Sequence, residues 1–189
     1  STLPKGETDA FRTKLVLSNV GASVESALLT DHAATVRSTE RYRLLSALSR
    51  PDGRVLRSLG VDKINIDGID VDLAGRRWRT SGVTDYTAGD ETGQSVEFQL
   101  DVRKDDAPVL RLTRTWRLPK QPEASGRHDL HSQVSIANLT DQPRRVILTY
   151  HGGLGLPQDR ATDDRVVDYA VQDAQGRVAG TRKSNVVAH

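Results

Sequence analysis

The chain has 189 residues, 36% hydrophobic and 28% charged, with a formal net charge of +2 and no cysteine. That length supports one sizeable core, the apolar patterning excludes disorder, and the missing thiols exclude disulfides and cysteine chemistry. Interleaved basic and acidic residues speak against nucleic acid as a partner. No apolar run approaches the roughly 18 residues of a spanning helix, and Ser1 to Gly6 lacks a signal-peptide core, so a water-soluble chain is expected.

Phe11, Thr13, Leu15 and Leu17 recur at a spacing of two and predict a half-buried strand from Phe11 to Ser18. A turn centred on Gly21 leads to a second strand, Val24 to Leu29. Helical alternatives are offered only by Ala22 to Leu29, disfavoured by Ser23, Val24 and Ser26 beside the glycine, and by Ala33 to Leu48, where a short helix around Arg41 to Ser46 is the open alternative. Ile64 and Ile66, Asp67-Gly68, then Ile69, Val71 and Leu73 predict a tight hairpin, because Asp-Gly favours positive backbone angles. Val96, Phe98, Leu100 and Val102 alternate with polar residues, and Asp105 to Pro108 turns into a strand bearing Leu110, Leu112, Trp116 and Leu118. Its opposite face carries Arg111, Thr113, Thr115 and Arg117. Leu130, Val134 and Ile136 are expected to pair with Val146, Leu148 and Tyr150 across the turn Asn138 to Pro143. The sum is a mainly β chain, a twisted antiparallel sandwich with little helix. Residues 1–10 and 181–189 read as tails around a single domain spanning 11–180.

Arg114 shares a strand face with Leu112 and Trp116, where a guanidinium must find a carboxylate, carbonyl groups or water, or pack its stem on Trp116. A groove that takes a ligand is the functional reading. Trp78, within Arg76-Arg77-Trp78-Arg79, is a candidate contact for anionic lipid, an envelope polysaccharide or nucleic acid, against the plainer reading of one anchored ring. His151, beside Gly152-Gly153, is a candidate acid, base or sugar contact. These four, Arg114, Trp116, Trp78 and His151, are the candidate interaction residues.

No catalytic, cofactor-binding or metal-binding set is expected. His128 and His131 point to opposite faces of a strand unless the backbone bulges. Gly152-Gly153-Leu154-Gly155 lacks the Lys-Ser or Lys-Thr of a phosphate loop and reads as a turn or bulge. Asp163-Asp164 lacks the further ligands of a calcium loop, and Asn138-Leu139-Thr140 reads as a turn. There is no Gly-x-Ser-x-Gly elbow and no Gly-x-Gly-x-x-Gly fingerprint.

The strand and Gly21-Ala22 turn leading to Ala27-Leu28-Leu29, followed by Tyr42-Arg43-Leu44-Leu45, resembles the opening of the periplasmic domain of YidC/Oxa1-type membrane protein insertases. The likeness continues through the Phe98 strand, Arg114-Thr115-Trp116, and the Asn138 to Pro143 turn before Val146 to Tyr150, covering about Phe11 to Arg177. It rests on the order of these segments. The resemblance implies a supersandwich similar to galactose-mutarotase-like domains, without catalysis, on the periplasmic side of the bacterial inner membrane. It also implies a membrane-anchored whole protein, with Sec translocon components and substrate polypeptide as partners. The family's domain runs past the point corresponding to Arg177, so this chain is expected to be a fragment with a sheet edge open to a second copy. The family's substrate groove and its arginine belong to transmembrane segments, and no residue here inherits that role. The alternative is a carbohydrate-binding or aldose-epimerase-like domain, with His128 or His151 as acid or base opposite Glu97.

Overall fold

The computed structural model describes residues 11–35, 39–120, 128–155, 165–172 and 178–186. The fold is mainly β, with antiparallel sheets in a sandwich-like arrangement and no helix among the described residues. No described helix is therefore long and apolar enough to cross a membrane.

The first unit, residues 1–156, holds three principal sheets. Strands β1 (Thr13–Ser18), β2 (Ser23–Ala33) and β3 (Arg41–Ser46) form one, in that order. The turn between β1 and β2 places Gly21 and Ala22 at φ 66° and 48°, which only the glycine adopts at no steric cost. Arg41 to Ser46 is strand and not helix, because pairing with β2 outweighs a weak local preference. A short ribbon, β4 (Leu48–Ser49) with β5 (Val55–Leu56), follows.

Strands β6 (Val61–Ile66) and β7 (Ile69–Asp72) form the expected hairpin, with Ile66 opposite Ile69 and Asp67-Gly68 both at positive φ. The largest sheet has the order β11-β10-β9-β8. It comprises β8 (Arg79–Ala88), β9 (Glu91–Lys104), β10 (Ala107–Pro119) and β11 (His131–Asn138). Leu110, Leu112, Arg114 and Trp116 of β10 are buried, while the alternate residues are less so, as the period of two requires. Ala107 and Pro108 already belong to β10, and Asp105 and Asp106, both at positive φ, make the turn alone.

Strand β12 (Val146–Tyr150) corrects one expectation. It pairs with β6, Leu148 opposite Ile64, while β11 pairs with β10. The Asn138 to Pro143 segment thus carries the chain from one sheet to another. Asn138 Oδ1 accepts from the Thr140 amide at 3.0 Å and its side-chain N–H donates to the Gln142 carbonyl at 2.7 Å, closing the turn locally. Alternation says which residues of a strand share a face and nothing about which strand lies alongside, so periodicity could not choose the partner.

Val24, Ala27, Val61, Ile64, Leu73, Trp78, Phe98, Leu112 and Trp116 form one continuous core drawn from all three sheets. The second unit, residues 157–189, contains a separate hairpin of β13 (Arg165–Gln172) and β14 (Val178–Val186). Residues 181–186, expected as part of a tail, lie in β14. Pairing with β13 recruits the polar Thr181 to Asn185 through backbone bonds, to which composition is blind. The expected tail at 1–10 and the Asp163-Asp164 loop lie outside the described residues.

Candidate functional site

The main groove of the first unit arises where two sheets end side by side. β1 and β8 are edge strands, each hydrogen-bonded to one neighbour among the described strands. Two adjoining cavities of about 490 Å³ and about 500 Å³ lie between them and share Leu15, Leu17, Val83 and Val96. Phe11, Trp116 and Leu130 line one end, and Thr80 and Phe98 the other. Leu15 and Leu17 come from one face of β1, as their spacing requires. Val83 reaches the groove because β8 is irregular between Thr80 and Val83, where Gly82 sits at φ 81°. Val83, next to this irregularity, is 66% exposed. An edge strand presents backbone N–H and C=O groups with no partner, so this groove combines an apolar floor with main-chain hydrogen-bonding capacity.

Arg114 and His151 are brought together at a second place. Arg114 is only 4% exposed. Its Nε–H donates to Ser132 Oγ at 3.1 Å and Nη1–H donates to the Leu59 carbonyl. Its guanidinium carbon lies 4.1 Å from the Trp116 ring centroid and 5.4 Å from that of Tyr150. Burial pushes Arg114 down from its ordinary 12.5 to about 10 against the opposing influence of Tyr150, so it is cationic at neutral pH. Burial likewise raises the Tyr150 phenol. A cavity of about 280 Å³ is lined by Arg114, Leu59, Ser132, Val134, Tyr150 and His151. His151 Nε2 is 3.3 Å from Asp62 Oδ1, and its amide donates to the Gly60 carbonyl at 2.9 Å.

Trp116 joins the two places: it lines the groove, carries Arg114, and donates Nε1–H to the Ala22 carbonyl at 3.1 Å. Trp78 does not belong to either. It is 2% exposed, its amide donates to the Asn19 carbonyl at 2.8 Å, and its indole N–H has no partner among the described residues. Its burial agrees with the plainer reading of one anchored ring and not with a surface contact, and Arg77 beside it bridges to Val20. The diglycine segment is hydrogen-bonded strap more than turn: Gly152 accepts from the Leu59 amide, and the Leu154 amide donates to the buried Ser58 hydroxyl at 2.9 Å. Gly155 supplies the one positive φ there, 62°.

Sequence reasoning missed a polar cluster at the end of β2. Asp31 Oδ1 lies 2.7 Å from His32 Nδ1 and 3.0 Å from His128 Nε2, and Asp31 Oδ2 accepts from Arg12. The three donor atoms of Asp31, His32 and His128 lie within 4.8 Å of one another, a spacing compatible with a divalent cation. In the structure they satisfy each other instead. His131, the other half of the sequence pair, lies 3.8 Å from Glu91. Ninety-seven residues separate Asp31 from His128, so no local motif could have announced the cluster.

Burial would raise the Asp31 carboxyl, but hydrogen bonds from His128, His32 and Arg12 outweigh it and hold the group well below the usual range. A depressed folded-state value means a contribution that is complete above about pH 4 and drains away as pH falls below it. Asp31→Asn is therefore expected to lower the Tm at pH 6 and to converge on the parent as acid is added. Thermal melts from pH 6 down to about pH 2 check this, and a constant difference across that whole range would refute it.

The groups required by a sugar-epimerising reading are not hydrogen-bonded or ion-paired with one another: His128 meets Asp31, His151 meets Asp62, and the Glu97 amide donates to Ser81 Oγ. No family model, curated protein or solved structure matches this chain.

Proposed function

We propose that this chain is a non-catalytic accessory domain of a YidC-type membrane protein insertase, acting on the periplasmic side of the bacterial inner membrane. Its task is to contact emerging polypeptide, or an extended segment of a translocon component, during membrane protein insertion. The observation that carries this reading is the β1–β8 groove, in which two edge strands flank the apolar row Leu15, Leu17, Val83 and Val96. An extended chain laid there adds a strand to either edge through main-chain bonds. Its alternate side chains fall on the apolar floor, which accepts many sequences. Support for the insertase assignment comes from the ordered segments from Phe11 to Tyr150 that resemble that family.

A photo-crosslinking amino acid at Leu17 or Val83, in the full-length protein in its native membrane, is expected to capture nascent polypeptide or a translocon subunit. The same probe at Ile69, equally exposed but on β7, is the control. Val83→Glu should reduce the Leu17 crosslink by about tenfold, the equivalent of roughly 1.4 kcal/mol. Equal capture from Ile69, or capture of a second copy of this chain alone, would overturn the proposal.

A further inference from the structure

Arg114 is a buried cation whose charge no carboxylate among the described residues offsets. A guanidinium has five N–H donors. Ser132 and the Leu59 carbonyl take two of them, which leaves three beside a cavity of about 280 Å³. The surroundings are built to hold this group in place. Trp116 and Tyr150 lie within cation–π distance of it. Leu59, a bulky residue, takes φ 57° where its carbonyl meets Arg114, and its amide is tied to the Gly152 carbonyl at 3.1 Å. Backbone strain of that kind persists only where the surroundings impose it.

We propose that this cavity binds a small monocarboxylate, whose two oxygens accept from the unused N–H groups of Arg114 and whose apolar body lies along Val134 and the Tyr150 ring. The charge count selects the ligand class. Among the described residues, Arg114 is the one Lys or Arg lining the cavity and no carboxylate lines it, so one negative charge closes the balance there and two would exceed it. The planar fork also suits a planar carboxylate. None of the residues lining this cavity lines the β1–β8 groove, so the site stands or falls independently of polypeptide contact there.

The test is an NMR titration of the ¹⁵N-labelled chain with sodium acetate and sodium benzoate, against sodium chloride and inorganic phosphate at equal ionic strength. The signals followed are the Arg114 Nε–H and the Tyr150 and His151 amides. Saturable shifts with a Kd on the order of 1 mM are expected for the carboxylates. They should weaken about tenfold or more in Arg114→Lys, which keeps charge but loses the fork. In Arg114→Met they should vanish without a lower Tm, since a buried ion can often be replaced by an apolar side chain of similar size. If that variant does not fold, Val134→Phe, which fills the cavity and leaves Arg114 in place, should abolish the shifts. Shifts no greater than chloride produces, phosphate binding as tightly as benzoate, or full binding in Arg114→Met or Val134→Phe would overturn the proposal.

Discussion

Trp116→Ala is expected to lower the free energy of unfolding by about 3–5 kcal/mol, the loss typical of deleting a large buried aromatic. Trp116 is 2% exposed and sits where the core, the groove and the Arg114 cavity meet. Removing it takes away buried apolar area, the hydrogen bond to the Ala22 carbonyl, and the ring against which the guanidinium lies. That last loss distinguishes Trp116 from an ordinary core residue, because the Arg114 cation would remain buried with one aromatic neighbour fewer. Trp116→Phe separates the contributions. It keeps most of the ring area and loses the N–H donor, so a cost of about 1 kcal/mol beyond the change in size is expected. Urea unfolding of both variants, with m-values compared, is the measurement. A cost below about 1.5 kcal/mol for Trp116→Ala would mean that the ring is not the keystone of this core.

Gly93→Ala should destabilise by about 1–3 kcal/mol or more, although the change adds a single methyl group. Gly93 lies in β9 opposite Pro119 of β10 and Tyr86 of β8, and it is buried. A Cβ there would stand 2.8 Å from the Pro119 Cα and 2.9 Å from Tyr86 Cε1, and would press on the Leu118 carbonyl. Two of these three atoms are main chain, so relief requires the β9–β10 ladder to shift and cannot come from a rotamer change alone. Gly68→Ala is the informative comparison. Its added Cβ would meet nothing within 4 Å, and only the positive φ of 91° opposes it. A cost near 1 kcal/mol is expected there, from backbone conformation alone. Thermal or urea unfolding ranks the two, and a smaller loss at Gly93 than at Gly68 would contradict the close approach.

Local order was legible in the sequence wherever one strand's own pattern decided the outcome. The period of two in Val96 to Val102 and Leu110 to Leu118, the Asp67-Gly68 turn and the Gly21 turn all translate directly into backbone geometry. So did the anomaly of Arg114 on an apolar face, since alternation alone fixes which side it occupies. Strand β8 escaped notice because a bulged edge strand has no buried face to impose a pattern.

The partners of those strands and the neighbours of those side chains depended on contacts distant in the chain. Whether β12 meets β11 or β6, whether Trp78 faces water or core, and whether Asp31 finds His128 are decided by which sheets stack. The same holds for the carbonyl that reaches Arg114 from Leu59, 55 residues away. The sequence by itself determined an antiparallel β chain with one cation on the wrong face, because side-chain alternation is a local property. Tertiary structure alone decided that this cation opens into a cavity and that two strand edges flank one groove, because both require segments from separate sheets to occupy the same space.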